Sequence, residues 1–177
     1  MRGGGKAGLA EMRTGIGTSR EQGNALLLPS FEAALAEAEA SAGEIDAGLK
    51  RLDDAFAELE RTENRWYEAE MHRVRGEILL KCEPVDTGAA EQSLQAAIAI
   101  AQSQKARSFE LRSALALAKL YRAASRDADA HAALAPAVEG FLPTQQFPEL
   151  TEAQALLAAL GSDRRPCDSA GGPKAGR

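Results

Sequence analysis

Glu68 and His72 stand four residues apart, the spacing that brings two metal ligands onto one face of a helix. A metal centre needs a third ligand, and no motif supplies one, so the pair reads as a surface contact. His131 stands alone near Asp127 and Asp129 at a predicted helix start and reads as a solvated residue. Gly15-Ile16-Gly17-Thr18-Ser19 has the glycines and hydroxyls of a phosphate-cradling loop. No strand precedes it, however, and the third glycine is missing. Cys82 follows Lys81, whose charge would favour a thiolate, but no histidine is placed to activate it, and a packed thiol at a helix end is the plainer reading. These patterns predict no catalytic residue, no cofactor and no metal site: a scaffold rather than an enzyme.

Composition narrows the class further. A chain of 177 residues is long enough for one substantial core. Aromatic residues make up only 5% and alanine is abundant, which favours helices packed through small side chains over a β sandwich. The net charge of -5 works against non-specific nucleic-acid binding, which needs a cationic face to displace counterions. Cys82 and Cys167 lie far apart without metal-ligand spacing, a pattern that fits a reducing cytosol. MRGGGKAGLAEM lacks the apolar stretch of a signal peptide, and runs such as AAIAIA are too short to span a bilayer. A cytoplasmic protein with neither a membrane nor a nucleic-acid partner is expected.

The elements that would position any site follow from apolar spacing and breakers. Residues 1–5 form a flexible lead. A helix over 6–22 carries Leu9, Met12 and Ile16, with Gly8, Met12 and Gly15 as a small-large-small row. The next helix runs from Asn24, a candidate cap, or from Leu28, to Ala42, with Phe31, Leu35 and Ala38 inside; Gly43 ends it. Its partner over 45–62 carries Leu49, Leu52, Phe56 and Leu59. A third helix spans 66–81 on Tyr67, Met71, Val74 and Ile78, and its partner spans 90–104 with Thr87 as candidate N-cap. Helices over 108–124 and 127–141 follow, the second bent or shortened by Pro136. Pro148 opens a capping helix over 148–161, and 162–177 reads as a disordered tail.

Small-large-small rows recur at a fixed interval. Gly15, Ala55, Ala97 and Ala137 end the four rows at separations of 40, 42 and 40. A constant period with two helices per unit predicts an all-α helix-turn-helix solenoid, in which each unit buries its apolar faces against its neighbours. Ala36, Gly76 and Ala118 in first helices, Leu79 and Tyr121 three residues after the last two, and the rows Gly48/Leu52/Ala55, Ala90/Leu94/Ala97 and Ala130/Leu134/Ala137 in second helices resemble the tetratricopeptide repeat family over residues 6–141. The period exceeds that family's repeat of about 34 residues, which implies extended helices. The resemblance implies a right-handed array with units over 24–62, 66–104 and 108–141, a half-repeat at 6–22 and a cap. The wording of RWYEAEMHRVRGEILL, SFELRSALALAKLYRAASRDADAHAALAPAVEGF and FPELTEAQALLAAL is similar to the C-terminal repeats of bacterial signalling ATPases and nucleotidyl cyclase-linked proteins, although no Walker loop is present.

That resemblance places the first helices on a concave side, where Glu37, Glu70, Arg73, Glu77, Arg112, Lys119 and Arg122 would face outward. The groove would be acidic at one end and basic at the other, and either binds a protein or peptide or is a solvated face laced with pairs such as Arg73 with Glu77. A clamp for peptide carboxylates is disfavoured by Glu77, where that version of the family has an amide. Trp66 and Tyr67 could anchor a ligand or pack between units, with packing the favoured reading. The open face of the 6–22 helix predicts docking on preceding repeats, such as those of an upstream ATPase or cyclase protein, or self-association.

Overall fold

The computed structural model describes residues 3–162 apart from 24, 143 and 146; the side chains of 3–6 are not described. The expected tail, Cys167 and the Asn24 cap fall outside the described residues. The fold is all-α, with eight helices and no strand among the described residues: α1 (Gly3–Glu21), α2 (Leu28–Ser41), α3 (Ile45–Thr62), α4 (Glu68–Leu79), α5 (Thr87–Ser103), α6 (Arg107–Ala123), α7 (Asp127–Val138) and α8 (Pro148–Ser162). None is long and apolar enough to cross a membrane.

The helices are paired as their order in the chain suggests. α2 packs on α3, α4 on α5 and α6 on α7, while α2, α4, α6 and α8 touch in succession. Among the described residues, α2 does not reach α6, nor does α3 reach α5. The molecule therefore has a line of local cores in place of one central core. Leu52, Leu59, Met71 and Ile78 lie at the centre of one, and Leu94, Leu111, Leu134 and Leu150 at the centre of another.

Small residues set how closely the paired helices approach. A Cβ on Gly48 would lie 2.7 Å from the Ala36 carbonyl oxygen, and one on Gly76 would lie 2.7 Å from Leu94 Cγ and 3.2 Å from the Ala90 carbonyl oxygen. Ala36, Leu52, Ala55, Ala90, Leu94, Ala97, Ala118, Tyr121, Ala130, Leu134 and Ala137 are all buried. The row in α1 behaves differently: Gly8 and Gly15 have open space where a Cβ would stand, and Met12 is 37% exposed. The reason is positional, because among the described residues α1 packs only on α2. That contact also corrects the expectation of an open Leu9/Met12/Ile16 face, since Leu9 and Ile16 are buried against Leu28 and Leu35.

Several boundaries move for identifiable reasons. Gly3–Gly5 are helical rather than a loose lead. Leu27 precedes the first turn of α2, and Pro29 sits where its missing N–H costs nothing. Phe31, expected inside, is exposed; Ala33, Ala36 and Ala40 face inward with Leu35. α4 starts at Glu68 because Trp66 and Tyr67 form a turn. Asp86, not Thr87, caps α5, its side chain accepting from the Ala89 N–H at 2.9 Å; the helix therefore begins at Thr87. α7 stops at Val138, two residues after Pro136 breaks the hydrogen-bond ladder, and Phe141 turns to pack edge-on against Phe147 at 5.4 Å. Arg107 donates to the carbonyls of Pro136 and Ala137 at 3.4 and 3.3 Å, satisfying acceptors that the α7 terminus leaves open.

Candidate functional site

Stacking the first helices of successive pairs brings their outward side chains into one cleft. Glu37 from α2, Arg73 and Glu77 from α4, and Arg112 and Lys119 from α6 line a space of about 360 Å³. Glu149 and Glu152 of α8 close its far side. Arg122 lies one turn beyond Lys119 and lines an adjoining hollow with Lys119 and Glu152. Six of the seven sequence-predicted groove residues thus share one surface. The seventh, Glu70, does not: it is 1% exposed, held beneath Arg73 and, at 2.9 Å, Arg112.

Charge inside the cleft is unevenly committed. Arg73 pairs with Glu70, with Glu77 at 2.7 Å and with Glu37 at 3.9 Å. Burial would lower its pKa, but the Glu70 and Glu77 carboxylates outweigh that and hold it above the ordinary guanidinium value. Arg73 is therefore a structural cation tying α4 to α2. Lys119 and Glu152 pair at 2.8 Å with both side chains about half exposed, and Arg122 and Glu149 have no ion pair among the described residues. The expected gradient from acid to base is overturned, because Glu149 and Glu152 place carboxylates at the basic end. Sequence reasoning missed both, having treated α8 only as a cap.

A second ionic cluster, also missed, joins α1, α2 and α3. Arg51 donates to both Glu39 oxygens at 2.8 and 2.9 Å and to Glu32 at 2.7 Å, while Arg13 reaches Glu39 and Arg20 reaches Glu32. Burial raises the pKa of Glu39, yet the bonds from Arg51 and Arg13 prevail and leave it below the ordinary carboxylate value. The signal available in the sequence was two glutamates seven residues apart on an otherwise apolar face. Glu91 similarly accepts from Tyr121 and Arg126, both at 2.8 Å, with Arg126 stacked over the Tyr121 ring.

The residues considered for chemistry have packing roles. The Gly15–Ser19 stretch lies within α1 and forms no loop. Glu68 bonds Arg65 at 2.7 Å, and His72 lies against Phe56 at 4.6 Å between ring centres. Burial, and then Arg75, lower the His72 pKa below the ordinary imidazole value. No group of three His, Cys, Asp or Glu side chains that could hold a metal occurs among the described residues. Cys82 Sγ donates to the Ile78 carbonyl at 3.7 Å, and His131 is half-exposed on α7. Trp66 donates to the Leu26 carbonyl at 2.8 Å and packs on Tyr67, which meets Phe109 edge-on.

The chain matches no protein-family model, no curated protein and no solved structure. Its functional reading therefore rests on the cleft and on the pairing of the helices.

Proposed function

We propose that this protein is an interaction scaffold built from long tetratricopeptide-like repeats, a helical solenoid whose cleft along α2, α4, α6 and α8 holds a segment of another protein. The supporting observation is the convergence of Glu37, Arg73, Glu77, Arg112 and Lys119, from three consecutive first helices, on one cleft. A polypeptide carrying both charges is the ligand this surface suits, because separate cations and carboxylates lie along it and the ends of α6 and α8 supply the least committed of each. The wording of the units adds the proposal that the array serves a bacterial signalling ATPase or cyclase-linked protein, holding partners close to a catalytic domain.

Replacing Lys119 and Arg122 together by Glu reverses two exposed cations without touching the core. Pull-down from native extract with the intact chain is expected to recover a partner that the Lys119→Glu/Arg122→Glu chain loses. Recovery of the same proteins by both chains would refute the cleft as the binding surface.

A further inference from the structure

We propose that copies of this chain associate head to tail, with α8 of one copy docking against α1 of the next in the place that a first helix takes in the other pairs. The argument compares matching positions within the molecule. In α6, Leu111, Ala114, Leu115, Ala118 and Tyr121 are buried. Forty residues on, Thr151, Gln154, Ala155, Ala158 and Gly161 of α8 are all exposed. The face that α6 covers with its partner helix is open on α8, and it carries Ala158 at the notch position held by Ala36, Gly76 and Ala118 elsewhere.

The α1 end is open in the complementary sense. Gly48, Leu52 and Ala55 of α3 are covered by their partner α2, whereas Gly8, Met12 and Gly15, forty residues earlier, have no such helix over them among the described residues. Phe31 and Ala34 of α2 are exposed too, while their counterparts Met71 and Val74 in α4 are buried. Together Met12, Gly15, Ile16, Phe31 and Ala34 line a hollow of about 330 Å³. It lies where a first helix would meet both its own partner and the following first helix, continuing the contacts seen from α2 to α4, α4 to α6 and α6 to α8.

The pairing within the molecule fixes the orientation. Within the α6–α7 pair the start of the first helix lies beside the end of the second, since Arg107 reaches the Pro136 and Ala137 carbonyls. An α8 seated in this way runs antiparallel to α1, its first turn beside the last turn of α1, where Arg20 pairs with Glu32 at 2.7 Å. The contact joins two different surfaces, so it adds copies in sequence until a ring closes or the line stays open. Thr151 and Gln154 make the α8 face partly polar, which limits the affinity.

The inference rests on the repeat reading above but is tested without the cleft. Sedimentation equilibrium of the intact chain from about 1 µM to about 1 mM, the range of weak association, is expected to show a mass rising above the dimer. Met12→Glu spoils only the α1 end and Ala158→Arg only the α8 end; both sites are exposed, and unchanged circular dichroism melting checks that each variant folds. Each variant alone is expected to remain monomeric, while their equimolar mixture forms a dimer that grows no further, since one copy keeps a working α8 and the other a working α1. A monomeric wild-type chain, Ala158→Arg associating as wild type does, or a mixture that stays monomeric would each overturn the proposal. Lys119 and Arg122 are intact in both variants, so this experiment and the cleft pull-down fail independently.

Discussion

Gly48 in α3 and Gly15 in α1 both belong to small-large-small rows, yet the same substitution should have opposite effects on them. A methyl at Gly48 meets a backbone oxygen that cannot move aside, so Gly48→Ala is expected to lose about 1 to 2 kcal/mol in urea unfolding, the overpacking cost less the helix-propensity gain. Gly15→Ala adds its methyl in open space and is expected to gain about 0.5 to 1 kcal/mol. Glu39 provides a pH test at the same scale. Its folded pKa lies below the ordinary carboxylate value, so the stability it contributes is present above about pH 5 and lost as pH falls through the depressed value. Glu39→Gln is accordingly expected to cost about 1 to 3 kcal/mol at neutral pH, with the gap from wild type closing below about pH 4.

Helix ends share a device that the residue types do not announce. Beyond α2, α3, α5 and α6 the chain turns through left-handed backbone at Gly43, Glu63, Lys105 and Ser125, with φ of 90°, 57°, 56° and 57°. Gly43 is suited to this conformation, whereas the other three bear a Cβ there at some cost. Ser125→Gly is expected to raise stability by about 0.5 to 1 kcal/mol, read from thermal unfolding, because relief of the turn exceeds the added freedom of the unfolded chain. The period-spaced alanines and glycines made these pairs legible in advance. Exact caps were less so, since Asp86 and Thr87 both suit an N-cap and only the path of the backbone selects Asp86.

Across the whole molecule, each pair leans on its immediate neighbours, so protection should fall towards the ends. α4 touches α2, α3, α5 and α6, whereas α1 touches only α2 among the described residues. Amide exchange followed by mass spectrometry is expected to be slowest in α4 and α6 and fastest in α1, with Arg13 and Arg20 slowing α1 through their hold on Glu39 and Glu32. Uniform protection along the chain would mean a single cooperative core, contrary to the pairwise contacts. Head-to-tail association would slow exchange in α1 and α8 together as concentration rises.

Apolar spacing, alanine content and the recurring rows determined that the chain is helical, where most helices run and which faces they bury. Those properties are local, because a helix face is set by residues three and four apart. The cleft was legible in part: Glu37, Arg73, Glu77, Arg112, Lys119 and Arg122 are ordinary polar positions on first helices. Tertiary structure decided the rest. Glu70 went under two arginines because α4 and α6 close over it, Glu149 and Glu152 joined the cleft because α8 packs on α6, and Met12 stayed open because α1 packs only on α2 among the described residues. Burial of a charge depends on what a neighbouring element brings to it, and a single helix's spacing does not encode that.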